Sequence, residues 1–173
     1  MKKEIAIQAV KDALSNLNIQ EEGGDNKGKW IKIYLDSVGL EEGNAWCAAW
    51  LKYRYVAASK TFGEKLSAGF LRLTGYTPDW HKYAVKNKIW IPAELGRINP
   101  KNILPGYAIF YYSREKGRIY HCGMVIRTSK DGIITIEGNT SPGHEIEANG
   151  DGVFMKRRLW SKLEPGSGFM KIY

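Results

Sequence analysis

Cys47 lies in the run Trp46-Cys47-Ala48-Ala49-Trp50, just after Gly43-Asn44, where the pattern predicts the first turn of a helix. A thiol ionises most easily at such a place. The unpaired backbone N–H groups and the positive end of the helix dipole favour thiolate over thiol. Acyl transfer by a thiolate needs two further groups. One is a histidine within hydrogen-bond reach, and the other is a polar side chain that fixes the imidazole tautomer. His121, in Tyr120-His121-Cys122-Gly123, supplies the first, and Glu137 or Asn139, in Glu137-Gly138-Asn139, could supply the second.

Taken singly, each residue has an ordinary structural reading. A lone cysteine in an apolar helix is core, a lone histidine beside a strand is structural, and Glu-Gly-Asn at a strand end is a turn. Their joint occurrence in suitable settings is what points to thiol catalysis, which asks for adjacency in space and not in sequence. Two cysteines do not make a disulfide framework. Cys47 and Cys122 could pair with each other, or Cys122 could be a small buried residue in an apolar strand.

The elements that must position these residues divide the chain into a helix-rich half, about 1–100, and a strand-rich half, about 105–173, within one domain over 1–173. Helical spacing covers 3–17, then 29–38 with a stop at Gly39, then about Trp46 to Ser59. In the third helix, Trp46, Ala49, Trp50, Tyr53, Val56 and Ala57 form an apolar stripe with Cys47 one step off it. Shorter helices are expected near Leu66–Leu73 and Asp79–Val85, with Asp79 as N-cap. The stretch from Trp90 to Leu104 reads as connection.

Strand signals cover Tyr107–Tyr112, His121–Thr128, Ile133–Glu137, Gly152–Leu159 and Gly168–Tyr173. The expectation is an α+β fold: N-terminal helices packed on a curved, mostly antiparallel, meandering sheet of about five strands. The turn Ser129-Lys130-Asp131-Gly132 makes a hairpin whose paired positions sum to about 261, so 137 faces about 124 and 139 faces about 122. That register brings Glu137 and Asn139 beside the start of the strand that holds His121.

Bulk composition narrows the function classes. The chain carries 26 Lys and Arg against 18 Asp and Glu, a net charge of +8, which suits an anionic partner. No basic run exceeds two or three residues and no nucleic-acid motif is present, so nucleic acid is not the expected partner. No apolar stretch approaches the ~18 residues of a membrane span, so no membrane insertion is expected. The start, Met1 to Gln8, lacks the apolar core of a signal peptide. The protein is therefore expected to stay in the cytoplasm until released, to leave by a route without a Sec signal, or to be exported by a leader this sequence does not include.

The run Gly43 to Trp50 combines with Pro105-Gly106-Tyr107-Ala108-Ile109-Phe110, His121-Cys122-Gly123-Met124-Val125 and Ile136-Glu137-Gly138-Asn139. Together they resemble the CHAP family, the cysteine, histidine-dependent amidohydrolases/peptidases, in the same papain-like clan as the NlpC-type wall peptidases. The resemblance spans residues 20–140. It implies a papain-like fold and cleavage of peptidoglycan, as an N-acetylmuramoyl-L-alanine amidase or an endopeptidase. It also implies Cys47 as nucleophile, His121 as general base and acid, Glu137 as ring orienter and Asn139 as further polar support. Residues 22–28 resemble the family's glycine-rich lead-in to the cysteine helix.

Two positions depart from the family: Tyr107 stands where it often has Asp, and Cys122 where it commonly has Val. Some members hold calcium in an Asp-rich loop. Here Asp36, Glu41 and Glu42 do not alternate as ligands would, and His81 and His144 lack metal-ligand spacing, so neither metal nor cofactor is expected. Two other readings keep the same fold: a non-catalytic wall-binding module, and a cysteine amidase acting on a different amide.

Overall fold

The computed structural model describes residues 1–143, 146 and 149–173, so His144 lies outside the described residues. The fold is α+β, with the helices mostly N-terminal to one open, six-stranded antiparallel sheet.

The helical half runs α1 (Lys3–Leu14), α2 (Lys29–Asp36), α3 (Cys47–Thr61), α4 (Ala68–Leu71) and α5 (Thr77–Lys86). α1 buries Ile5, Ala6, Ala9, Val10 and Ala13, the face that helical spacing marked out. α2 ends before Gly39, whose φ of 72° is the left-handed conformation that closes a helix. α3 differs from expectation. It has no single apolar stripe, because α1, α2 and strands of the sheet surround it. Leu51, Tyr55 and Ala58 are buried with Trp50, and even Lys52 and Arg54 are buried. Their charged ends find partners: Lys52 Nζ donates to Leu73 O at 2.7 Å and Arg54 Nη2 to Tyr34 Oη at 2.5 Å. Asp79 does not cap α5, which begins two residues earlier; its carboxylate accepts from Thr74 Oγ1 instead, at 2.7 Å.

The sheet contains β1 (Trp90–Pro92), β2 (Ala108–Ser113), β3 (Arg118–Thr128), β4 (Gly132–Thr140), β5 (Gly152–Leu159) and β6 (Gly168–Met170), in the order β1-β6-β2-β3-β4-β5. Only β2 to β5 meander. β6 then crosses to the free edge of β2 and carries β1 outside it. The segment read as connection is therefore partly structured. It supplies the edge strand β1, the helix α6 (Ala93–Ile98) and a 3-10 turn at Pro100–Asn102. A three-residue edge strand ending in proline leaves little for periodicity to detect.

The β3–β4 hairpin carries the site, and its register contains one decisive irregularity. Next to the turn, Thr128 pairs with Ile133 and Arg127 with Ile134, as counted from the sequence. Ile126 is then bulged out, and beyond it Val125 pairs with Thr135 and Met124 with Ile136. The expected pairing of 137 with 124 is thus displaced by one residue. A one-residue slip moves every later side chain to the opposite face. Glu137 consequently falls opposite Gly123, on the face that also carries His121. Gly123 has no Cβ there for a reason: one would lie 2.5 Å from Glu137 Cγ.

The other face of β4 receives α3. A Cβ on Gly138 would lie 2.8 Å from ring atoms of both Trp46 and Trp50, so the glycine lets the helix start sit against the strand. Gly138→Ala is expected to destabilise the protein by about 1–3 kcal/mol through overpacking, measured by urea denaturation.

Candidate active site

α3 begins without a side-chain cap. Trp46 occupies the N-cap position, and its carbonyl accepts from Trp50 N–H at 2.8 Å. The first N–H groups of the helix have no partner within it. One of them, from Ala48, hydrogen-bonds the Cys47 sulfur.

Trp46 is itself held in place. Its indole Nε1 donates to Glu21 Oε1 at 2.8 Å, and Glu21 Oε2 accepts from Asn26 N–H at 2.6 Å. The glycine-rich lead-in thus fixes the residue before the cysteine. Asn139 belongs to this group and not to the imidazole. It sits at a bulge between β4 and β5 with φ 59°, and Nδ2 donates to Asn26 Oδ1 at 2.8 Å and Gly150 O at 3.2 Å. Its short polar side chain suits that left-handed conformation. The structure thus corrects the expectation that Asn139 supports the ring: its hydrogen bonds lead through Asn26 and Glu21 to Trp46, on the cysteine side of the site.

Glu137 does meet the imidazole. His121 Nε2 lies 2.9 Å from Glu137 Oε2, and both side chains are fully buried. The carboxylate takes further donors: Tyr111 Oη and Thr135 Oγ1 at 2.6 Å each, and the Arg158 guanidinium at 2.9 Å from Nε and 2.5 Å from Nη2. Tyr111 also stacks on the imidazole, with ring centroids 5.5 Å apart and planes 18° apart. Burial acts to raise the Glu137 pKa. The hydrogen bonds and charges of His121 and Arg158 outweigh it and hold the carboxyl far below its usual range.

An ionised Glu137 fixes the tautomer, because Nε2 must carry a proton to face it. Nδ1 is the ring nitrogen left over. It is buried with no hydrogen-bond partner of good geometry, and it is the ring nitrogen left to share a proton with Cys47. Burial pushes the His121 pKa down, but the interaction with Cys47, the bond to Glu137 and the charges of both raise it to about 9. The Cys47 thiol is held well below its ordinary value. The neighbouring Cys122 thiol contributes most, burial opposes it, and the adjacent His121 with its charge and the Ala48 N–H add to the lowering. Between the lowered pKa of Cys47 and the value of about 9 for His121, the pair is thiolate and imidazolium.

Three of the four expected site residues therefore come together, at the junction of α3, β3 and β4. The residues that reasoning from sequence missed are Tyr111, Thr135, Arg158, Glu21 and Asn26. Thr135 was readable, since it lies two before Glu137 on the same strand and so shares its face. Arg158 was not: it ends the run Lys156-Arg157-Arg158, which looks like surface until β5 turns Lys156 and Arg158 inward. Among the described residues no three His, Cys, Asp or Glu side chains gather as a metal-binding group. His81 packs edge-on against Trp90, with ring centroids 4.5 Å apart. No helix of the described residues is long and apolar enough to cross a membrane.

No family model, no curated protein and no solved structure matches the chain.

Two outcomes follow from that geometry. The ultraviolet thiolate absorbance of the wild type, taken against Cys47→Ala, should appear well below the ordinary thiol value of 9.0. In His121→Ala its midpoint should rise, because the cation that stabilises the thiolate is gone. Glu137→Gln leaves the Arg158 guanidinium buried without its counter-charge, and urea denaturation should register a loss of about 3–5 kcal/mol.

Proposed function

We propose that the protein is a cysteine hydrolase that cleaves an amide or peptide bond in peptidoglycan, as an amidase or an endopeptidase. The observation that carries this reading is the buried line from Cys47 through His121 to Glu137, with the sulfur at a helix N-terminus. The resemblance to the CHAP family supplies the substrate class.

In this mechanism the Cys47 thiolate attacks the carbonyl carbon. The developing oxyanion meets the Cys47 backbone N–H, which α3 leaves unpaired. His121 gives its Nδ1 proton to the leaving amine, and an acyl-enzyme remains. The neutral ring then takes a proton from water, hydroxide attacks the thioester, and Cys47 departs as thiolate. Glu137 stays ionised throughout and holds the Nε2–H.

The charge of the protein supports an anionic polymer as substrate. Beyond the net charge of +8, a cavity of about 450 Å³ is lined by Tyr120, Arg157, Lys162 and Glu164, with Arg158, whose charge Glu137 balances, also in its wall. Tyr120 adjoins His121 in sequence and Arg158 pairs with Glu137, so this surface lies one residue away from the imidazole and its carboxylate partner.

One observation favours a second reading. Cys47 is only 3% exposed, and His121 and Glu137 are fully buried. A closed site suits a wall-binding module without turnover, or an amidase whose substrate presents a slender amide.

Purified peptidoglycan sacculi decide between them. Wild type should clear the suspension, and Cys47→Ala should lose activity by on the order of 10³-fold or more. Equal clearing by both proteins overturns the hydrolase reading. Binding to sacculi with neither clearing nor alkylation of Cys47 by iodoacetamide establishes the module.

A further inference from the structure

The only two cysteines of the chain meet where α3 packs on β3. Cys47 opens the helix, and Cys122 follows His121 in the strand. Both are buried in the same core and neither is bridged. The β3–β4 register puts Cys122 opposite Gly138, the glycine against which Trp46 and Trp50, the tryptophans that flank Cys47 on α3, close. Hydrolysis gives Cys122 no step of its own, yet this packing sets a second sulfur beside the reactive one. The two differ in state as well. Burial, with the charge of the neighbouring Cys47, keeps Cys122 protonated. A thiolate beside a thiol is the arrangement in which the first sulfur is oxidised and the second resolves it.

We propose that Cys47 and Cys122 are an oxidisable pair that closes to a reversible disulfide when the protein meets a hydroperoxide. The Cys47 thiolate attacks one peroxide oxygen; an S–O bond forms, the O–O bond breaks, and hydroxide leaves. The Cys122 sulfur then attacks the sulfenic sulfur. An S–S bond forms, the S–O bond breaks, and the Cys122 proton leaves with that oxygen as water. Two thiols give up two electrons, and the peroxide is reduced to water. With residue Cys47 only 3% exposed, a small oxidant such as hydrogen peroxide is the class that suits the site. Closure removes the nucleophile and spares Cys47 the irreversible sulfinic and sulfonic steps. A dithiol restores both groups.

The test reads sulfur chemistry directly and so stands apart from any activity on cell wall. Wild-type protein is treated with hydrogen peroxide, blocked with N-ethylmaleimide in denaturant and weighed by mass spectrometry. The expected product is monomeric, has lost two hydrogens and carries no maleimide, and dithiothreitol returns both reactive thiols. In Cys122→Ala and Cys122→Val the same treatment should drive Cys47 to a sulfinic acid that dithiothreitol does not reverse. Either substitution suffices if the other fails to fold. Wild type that gains oxygen while Cys122 still takes maleimide overturns the proposal, and so does a disulfide that forms only between molecules.

Discussion

A carboxylate sealed from the solvent surface is the constraint on which this molecule turns. Glu137 is fully buried in the middle of a sheet, and an ion there is tolerable only with donors on every side. Arg158 balances its charge, Tyr111 and Thr135 fill the remaining lone pairs, and His121 takes what is left. Four strands, β2 to β5, each contribute to that cluster. The imidazole is oriented because the carboxylate needs it as much as it needs the carboxylate. The same cluster explains why an arginine can be buried in β5 and why a tyrosine rather than an aliphatic residue lies across from the histidine.

A second, smaller polar centre does for the cysteine what Glu137 does for the histidine. Glu21 links Trp46 to the backbone of Asn26, and Asn139 links Asn26 to Gly150. The glycine-rich segment before α2, which reads as an idle loop, is thereby anchored to the far end of β4. Gly138 stands between the two centres and lets the tryptophans of the helix start close against the strand. Nucleophile and base are thus located by different networks that share one strand.

Much of this was legible in advance, and what was not has physical reasons. The thiol at a helix start could be read because capping and dipole effects depend on a few neighbouring residues. The long strands β3 to β5 could be read because alternation accumulates over their length. The identity of the ring's partner needed more. Counting from the turn placed both Glu137 and Asn139 near His121, but the count assumes an unbroken ladder, and the bulge at Ile126 breaks it. Asn139 sits in a second bulge, which turns its amide towards the loops. Edge strand β1 and the crossing of β6 rest on long-range pairing, for which three-residue segments carry no local signature. Arg158 was hidden in a basic run because burial of a cation depends on a partner in another strand.

The extra residue in β3 has a consequence for how such a hairpin tolerates change. A strand one residue longer than its neighbour is out of phase with it on one side of the mismatch. Adding or removing a single residue anywhere between the turn and Val125 would re-phase the two ladders. The carboxylate would then point into the helix layer and the glycine would be stranded on the polar side. Length, more than residue identity, is what this stretch cannot vary: a conservative exchange at Ile126 alters a half-exposed side chain, whereas its deletion would turn the centre of the protein inside out.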